Sequence, residues 1–377
     1  MIRVEKPLAL VLVLALAVGG VAYLELTGPD RGGGGGEEIA VEGNASERVQ
    51  TKQGEYRRAR PISDPAGFVN AENVSIRELV DRNEVVLVDF WTYSCINCQR
   101  TFPYLNAWHE KYGDEGLTIV GVHAPEFQFE EKRENVEDAV ARYGIEYPVV
   151  LDNDFATWRN YDNRFWPQKY LVDADGFIRY EHIGEGSYAE TERTIQELLI
   201  ERAHIVGEPV SDDLTSDPVD PDAERADFRK ITTPEIYFGS QRNADYLGNG
   251  EGGTSGVQDL ALPGDDAITD DAVYLDGRWR FTGEYAENLD ADGTIVLEYG
   301  AKDVNFVAEG NGSVDVTVRV DGEPPGDAAG DDVAPDGSAT VDDERLYDLV
   351  THDDYGDHRV TITAEEPGLR AYTFTFG

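Results

Sequence analysis

The chain has 377 residues, enough for two or three domains, and 75 acidic against 32 basic side chains give it a formal net charge of −43. That balance excludes nucleic acid as an expected partner, because its phosphates are repelled by so acidic a surface. The chain has two cysteines, so disulfide scaffolding contributes nothing to its stability and burial of apolar side chains must hold the fold. Self-repulsion on this scale calls for screening, and seven of the 32 basic residues are lysine, so the expected setting is high salt. The alternative is an acidic surface for basic partners.

Residues 8–24 carry no charge and follow Arg3 and Lys6, a length at the lower limit for a membrane-spanning helix. They read as an uncleaved N-terminal anchor (1–26) or as a cleavable signal. Val18, Gly19, Gly20, Val21 and Ala22 make only a poor cleavage site, and no cysteine follows for lipid attachment. Both readings send the rest of the chain out of the cytoplasm, either held at the cell membrane or secreted. Arg31 precedes five glycines and an acidic polar stretch, which predicts a flexible tether over 27–56. The tripeptides at Asn44, Asn73 and Asn311 fit the glycosylation pattern, a weak support for an outside location.

A globular domain is expected over 57–207. Residues 76–82 read as a short helix, and Val85–Trp91, apolar except for Asp89, reads as a strand buried on both faces. A long helix follows over 95–112, kinked at Pro103. Leu117–His123 is a second buried strand, 130–143 an acidic amphipathic helix, and 148–151 a third strand. Alternation of strands and helices implies parallel pairing. Residues 168–173 and Ile178–Ile183, joined through Asp175-Gly176, predict an antiparallel hairpin, and Tyr188–Val206 a closing helix. An acidic, Pro-rich linker spans 208–228. Beyond it, over 229–377, short runs of alternating polarity separated by Gly, Asp and Pro turns predict an all-β sandwich.

The stretch that carries chemistry is the turn after the first buried strand, where Cys95 and Cys98 stand at the start of a helix. The helix N-terminus offers free N–H groups and a positive dipole end, which favour thiolate on the first cysteine. The second, one turn on, can then attack a mixed disulfide. A structural zinc would need about four ligands, and no second Cys or His pair stands at matching spacing. Neither a metal nor a cofactor is expected. The pair reads as a redox disulfide.

The segment Val-Asp-Phe-Trp followed by Cys-x-x-Cys resembles the active site of thioredoxin-fold proteins of the redoxin (TlpA-like) kind. Three longer runs sharpen the likeness: 91–100 (Trp-Thr-Tyr-Ser-Cys-Ile-Asn-Cys-Gln-Arg), 121–127 (Gly-Val-His-Ala-Pro-Glu-Phe) and 166–173 (Trp-Pro-Gln-Lys-Tyr-Leu-Val-Asp). They resemble the soluble C-terminal portion of DipZ-type cytochrome c biogenesis proteins, from about residue 55 to the end. The resemblance implies an α/β thioredoxin-like domain followed by a jelly-roll of carbohydrate-binding-module type. One departure matters, since those proteins carry a multi-span electron-transferring domain where this chain has a single hydrophobic segment. A separate membrane electron donor of CcdA/DsbD type is therefore implied.

The resemblance also implies that Pro167 is a cis-proline facing the dithiol, where the preceding backbone pairs with an extended client. Trp166, with Trp91, is named as client-binding. Asp89 is a costly carboxylate in an apolar strand, either placed to take the proton from the resolving thiol Cys98 or a structural residue satisfied by its neighbours. Glu126 and His123 lie near the same edge of the sheet and either tune proton transfer or are loop residues without a chemical role. The leading expectation is a membrane-tethered, extracytoplasmic thiol-disulfide oxidoreductase that exchanges disulfides with client proteins, apocytochromes among them. A thiol peroxidase is the runner-up, because Thr92-x-x-Cys95 resembles the peroxiredoxin motif although Val88 stands where that motif has proline. A sugar- or envelope-binding module is the non-enzymatic alternative.

Overall fold

The computed structural model describes residues 47–377. The expected anchor, the sequon at Asn44 and the tether up to residue 46 lie outside the described residues. Among the described residues, no helix is long and apolar enough to cross a membrane.

The tether expectation is corrected where it overlaps the structure: Glu47–Glu55 is helix α1. Its two cations, Arg48 and Lys52, are matched across more than 120 residues of chain. Lys52 is buried, its Nζ 2.6 Å from Asp173 Oδ2 and 2.8 Å from Asp175 Oδ2, with Glu201 as a third partner. Arg48 makes two bonds of 2.7 Å to Asp175. A polar segment read as solvated is thus stapled to the hairpin turn and to the closing helix.

The first domain is built on a six-stranded sheet. Its strands are β1 (Gly67–Val69), β2 (Val85–Trp91), β3 (Leu117–His123), β4 (Val149–Leu151), β5 (Gln168–Val172) and β6 (Ile178–Ile183), in the order β1-β4-β3-β2-β5-β6. β2 lies parallel to β3, and β3 to β4, while β5 and β6 form the antiparallel hairpin. Every residue of β2 is buried, as its apolar run requires. β1, only three residues long, gave no periodic signal and closes the edge antiparallel to β4.

Helices cover both faces. α2 (Ile76–Asp81) is capped by Ser75, whose hydroxyl accepts from Glu78 N–H. The single kinked helix expected over 95–112 is instead two, α3 (Ile96–Gln99) and α4 (Phe102–Tyr112), separated at Arg100 and Thr101. Pro103 then falls in the first turn of α4, where its missing N–H costs no helical bond. The helix expected from residue 130 begins later, as α5 (Arg133–Arg142), after a 3-10 turn over Gln128–Glu131. α6 (Ala156–Asn160) and α7 (Tyr188–Val206) complete the domain.

The second domain is a β-sandwich of nine strands: β7 (Ile236–Tyr237), β8 (Gly256–Leu260), β9 (Val273–Phe281), β10 (Ala286–Asn288), β11 (Gly293–Gly310), β12 (Val314–Val320), β13 (Ser338–Val341), β14 (Arg345–Ala364) and β15 (Leu369–Phe376). β11 and β14 pair along their lengths and pass through both layers, with register shifts near Ala301 and Val304 at the corner. One half of β11 pairs β9 and the other pairs β15, so one hydrogen-bonded network folds over a common core.

The two domains are not independent. Val307, Leu346 and Tyr372 of the sandwich belong to the same apolar cluster as Phe127 and Phe129. Tyr372 meets both phenylalanines edge-on, at 5.1 and 4.8 Å between ring centroids. The acidic linker is laid along the first domain: Leu214 is buried, and the Val219 N–H donates to Glu192 at 2.7 Å.

The α1 staple gives a measurable expectation. Lys52→Met removes a buried cation from three carboxylates, which should cost about 3 kcal/mol at neutral pH, read by urea unfolding. Burial opposes ionisation of Asp175 and Glu201, but hydrogen bonds from Arg48, Lys52 and Arg179 outweigh it and hold both carboxyls below their usual values. Their contribution is therefore present above the unfolded carboxyl values and lost as pH falls through the lower folded ones. The difference between Lys52→Met and wild type should shrink across that acid window, and a constant difference would count against the staple.

Candidate active site

The end of β2 delivers the turn Thr92-Tyr93-Ser94 and then Cys95, which is the N-cap of α3 in extended conformation. Cys95 is half-buried and Cys98 buried, and both are free thiols. Cys98 Sγ lies 2.8 Å from Cys95 Sγ, and the Cys98 N–H points at Cys95 Sγ at 3.3 Å. Burial, and then the hydrogen bond to Cys95, push the Cys98 thiol well above the ordinary thiol range. The buried sulfur therefore needs a base before it can attack.

Asp89 is the nearby carboxylate, fully buried two residues before the end of β2. Burial pushes it up to about 6, against the pull of Lys169. Lys169 on β5 stands directly across from Asp89 in the ladder, equally buried, with its Nζ 3.5 Å from Asp89 Oδ1. The sequence reading missed Lys169. Its signal was there: a lone cation in the apolar strand Gln168–Val172, facing a lone anion in β2. Neither Asp89 oxygen has a close hydrogen-bond donor, so the carboxylate is poised to accept a proton rather than tied up.

The Trp166–Pro167 peptide bond is cis. Trp166 is half-exposed, donates its Nε1–H to the Ala124 carbonyl at 2.9 Å and lies 4.4 Å from the Trp158 ring. With Phe165, which is exposed, these rings form an aromatic ledge beside the cis-proline.

Three of the sequence assignments change. Trp91 is fully buried, edge-on to Phe102 and His123, and the glycine at 121 makes room for it: a Cβ there would lie 2.8 Å from its Nε1. A side chain without exposure cannot touch a client, so Trp91 is core. His123 is buried too, 3.4 Å from the Thr92 hydroxyl, and burial pushes its imidazole down to about 3, leaving it neutral. Glu126 is turned away from the dithiol. Its carboxylate accepts from Arg242 at 2.6 Å and from the Tyr237 hydroxyl at 3.1 Å, both from the sandwich.

The acid that does reach the turn is Glu130, which the sequence reading left on a helix. It is fully buried, with Oε1 accepting from Ser94 N–H (3.2 Å) and Ser94 Oγ–H (2.7 Å). Oε2 accepts from the N–H groups of Glu126 (2.5 Å) and Phe127 (3.0 Å). The sandwich touches the same turn: the Tyr93 hydroxyl donates to the Glu344 carbonyl at 3.1 Å.

The AhpC/TSA family model matches residues 63–181, and the model described as "Thioredoxin like C-terminal domain" matches residues 233–377. Protein DipZ of Mycobacterium tuberculosis is 40% identical over 243 residues, which are 64% of this chain and 33% of that protein. The chain thus spans about a third of the length of its DipZ relatives. Thiol-disulfide oxidoreductase YkuV of Bacillus subtilis is 27% identical over 125 residues, 33% of this chain and 84% of that protein. A thiol:disulfide interchange protein DsbE structure from Chlorobium tepidum superposes with a TM-score of 0.34 at 25% identity, over 38% of this chain and 96% of that one. Residues 63–181 are therefore a thioredoxin-like redoxin domain of the AhpC/TSA family, and residues 233–377 are a thioredoxin-like C-terminal domain behind it.

Proposed function

We propose that the chain is a thiol-disulfide oxidoreductase acting on protein disulfides. It is held at the cell membrane by its N-terminal segment, with both domains on the extracytoplasmic side. The observation that carries the reading is the juxtaposition of a half-buried Cys95, a buried Cys98 and a buried, unbonded Asp89 carboxylate at one sheet edge. Cys95 attacks a client disulfide, breaking its S–S bond and forming a mixed disulfide, while one client sulfur leaves as a thiol. Asp89 takes the proton from Cys98, whose sulfur attacks Cys95 and releases the second client sulfur. The client gains two electrons and the protein is left with a Cys95–Cys98 disulfide. Reduction of that disulfide falls to a separate membrane donor of CcdA/DsbD type. Apocytochrome disulfides, which the exchange would reduce to thiols during cytochrome c maturation, are the proposed clients.

Cys98→Ser should trap mixed disulfides with client proteins through Cys95, and Cys95→Ser should trap none. Non-reducing gels of the two variants read the difference, and the reverse pattern would overturn the assignment. Asp89→Asn should slow resolution of the mixed disulfide by about 100-fold while attack changes much less. In the wild type, resolution should fall as pH drops below about 6, where the carboxylate is protonated, and this limb should be missing in Asp89→Asn. Stopped-flow rates of the two half-reactions across pH are the measurement.

The AhpC/TSA match favours a second reading, thiol peroxidase. Turnover of hydroperoxide by the purified chain, comparable to its disulfide exchange, would put that reading first. The acidic excess is proposed as an adaptation to salt. The thermal midpoint should then rise along a KCl series, and a flat midpoint would favour a basic partner instead.

A further inference from the structure

Glu130 plays no part in the exchange steps above, yet its surroundings are specific. Its carboxylate binds the Cys95-bearing turn, through both donors of Ser94, to the loop after β3, through Glu126 and Phe127 N–H. Four donors converge on two oxygens with no exposure to water. Such a set satisfies a charged carboxylate and leaves no natural acceptor for an acid proton, apart from the rotatable hydroxyls of Ser94 and Thr92. Among the described residues its partners are neutral N–H and O–H groups, with no lysine or arginine. Lys132, two residues on, is committed to Glu344, and Arg242 is committed to Glu126. The negative charge is felt in the turn: burial and then Glu130 push up the hydroxyl of Tyr93, two residues before Cys95.

We propose that Glu130 is a positioning residue for the dithiol and that its charge, uncompensated by a cation, makes the Cys95–Cys98 couple a stronger reductant. The inference rests on the dithiol exchange reading and says which way that site is poised. A fixed anion beside the turn destabilises the form of the couple that can carry negative sulfur, which is the reduced one. A couple whose reduced form is stabilised is an oxidant, so the opposite holds here. The α3 N-terminus works in the reverse sense, and Glu130 offsets it.

The test uses glutathione buffers and needs no client. One glutathione disulfide and the protein dithiol give the protein disulfide and two glutathione thiols, with two electrons transferred. The bound fraction of an alkylating tag reads the equilibrium for the purified chain at about pH 8. Glu130→Gln keeps the shape and removes the charge, and should shift the equilibrium about tenfold toward the dithiol, equivalent to about 30 mV. Glu130→Asp keeps the charge but loses reach to one loop, and should shift it less than threefold. Equal shifts in both variants, or none in Glu130→Gln, would overturn the proposal.

If Glu130→Gln does not fold, the wild-type protein still decides. Burial pushes Glu130 up to about 7, so the potential should show an extra inflection there as the charge is neutralised. The groups facing it are Glu126, which is paired with Arg242, the stacked rings of Tyr93 and neutral His123, and the Thr92 hydroxyl. Asp89 titrates about one unit lower, so the inflection must survive Asp89→Asn. Its absence there would overturn the proposal. A chain whose cysteines form no disulfide at any glutathione ratio would remove the exchange reading as well, whereas normal exchange without the shift would remove this inference alone.

Discussion

A carboxylate in the middle of a strand with no exposed residue is the constraint on which the site depends. Leaving Asp89 ionised and alone there would cost several kcal/mol, so the ladder must bring a counter-charge to it. The antiparallel pairing of β2 with β5 does so, placing Lys169 across from Asp89. The same strand leads straight out of the cis Trp166–Pro167 bond, so one register places both the Asp89 carboxylate and the loop that carries Trp166. The contact is long, 3.5 Å, and the carboxylate keeps its capacity to accept a proton. A tighter pair would be more stable and chemically idle.

Several other buried acids find partners in different ways. Glu192 is satisfied by the Trp108 indole, the Tyr112 hydroxyl and Lys111. Asp173 and Asp175 hold α1 through Lys52 and Arg48. Glu130 has backbone and hydroxyl donors in place of a cation. A chain with so large an acidic excess has few cations to spend inside, and the ones it buries sit at the joints between elements. Arg100 illustrates this, reaching Glu185 at 3.1 Å and the linker's Glu224 at 3.3 Å from its place beside the dithiol helix.

The sandwich contributes to the redox site as well as following it. Its Glu344 carbonyl receives the Tyr93 hydroxyl, its Arg242 and Tyr237 take Glu126, and its Tyr372 packs on Phe127 and Phe129. These contacts fall on the turn before Cys95 and on the loop after β3, the two segments that Glu130 joins. The second domain therefore braces one side of the dithiol edge, and the aromatic ledge of Phe165 and Trp166 lies by the cis-proline.

The elements read correctly from the sequence were those with a strong local pattern. β2 and β3 are continuous apolar runs, the hairpin has its Asp-Gly turn, α7 has a sustained period, and the two cysteines stand at a strand-to-helix junction. These follow from neighbours within a turn or two of chain, which is why the sequence alone determined the fold class and the dithiol. Tertiary structure alone decided which charges are partners. Lys169 meets Asp89 from 80 positions away, Lys52 meets Asp173 from 121, Glu130 meets Ser94 from 36, and Arg242 meets Glu126 from 116. For Glu126 and Glu130, four residues apart and alike in composition, nothing local distinguishes the one turned to the sandwich from the one beneath the active-site turn. Charge pairing acts through space with no sequence period, so only the packed chain assigns it.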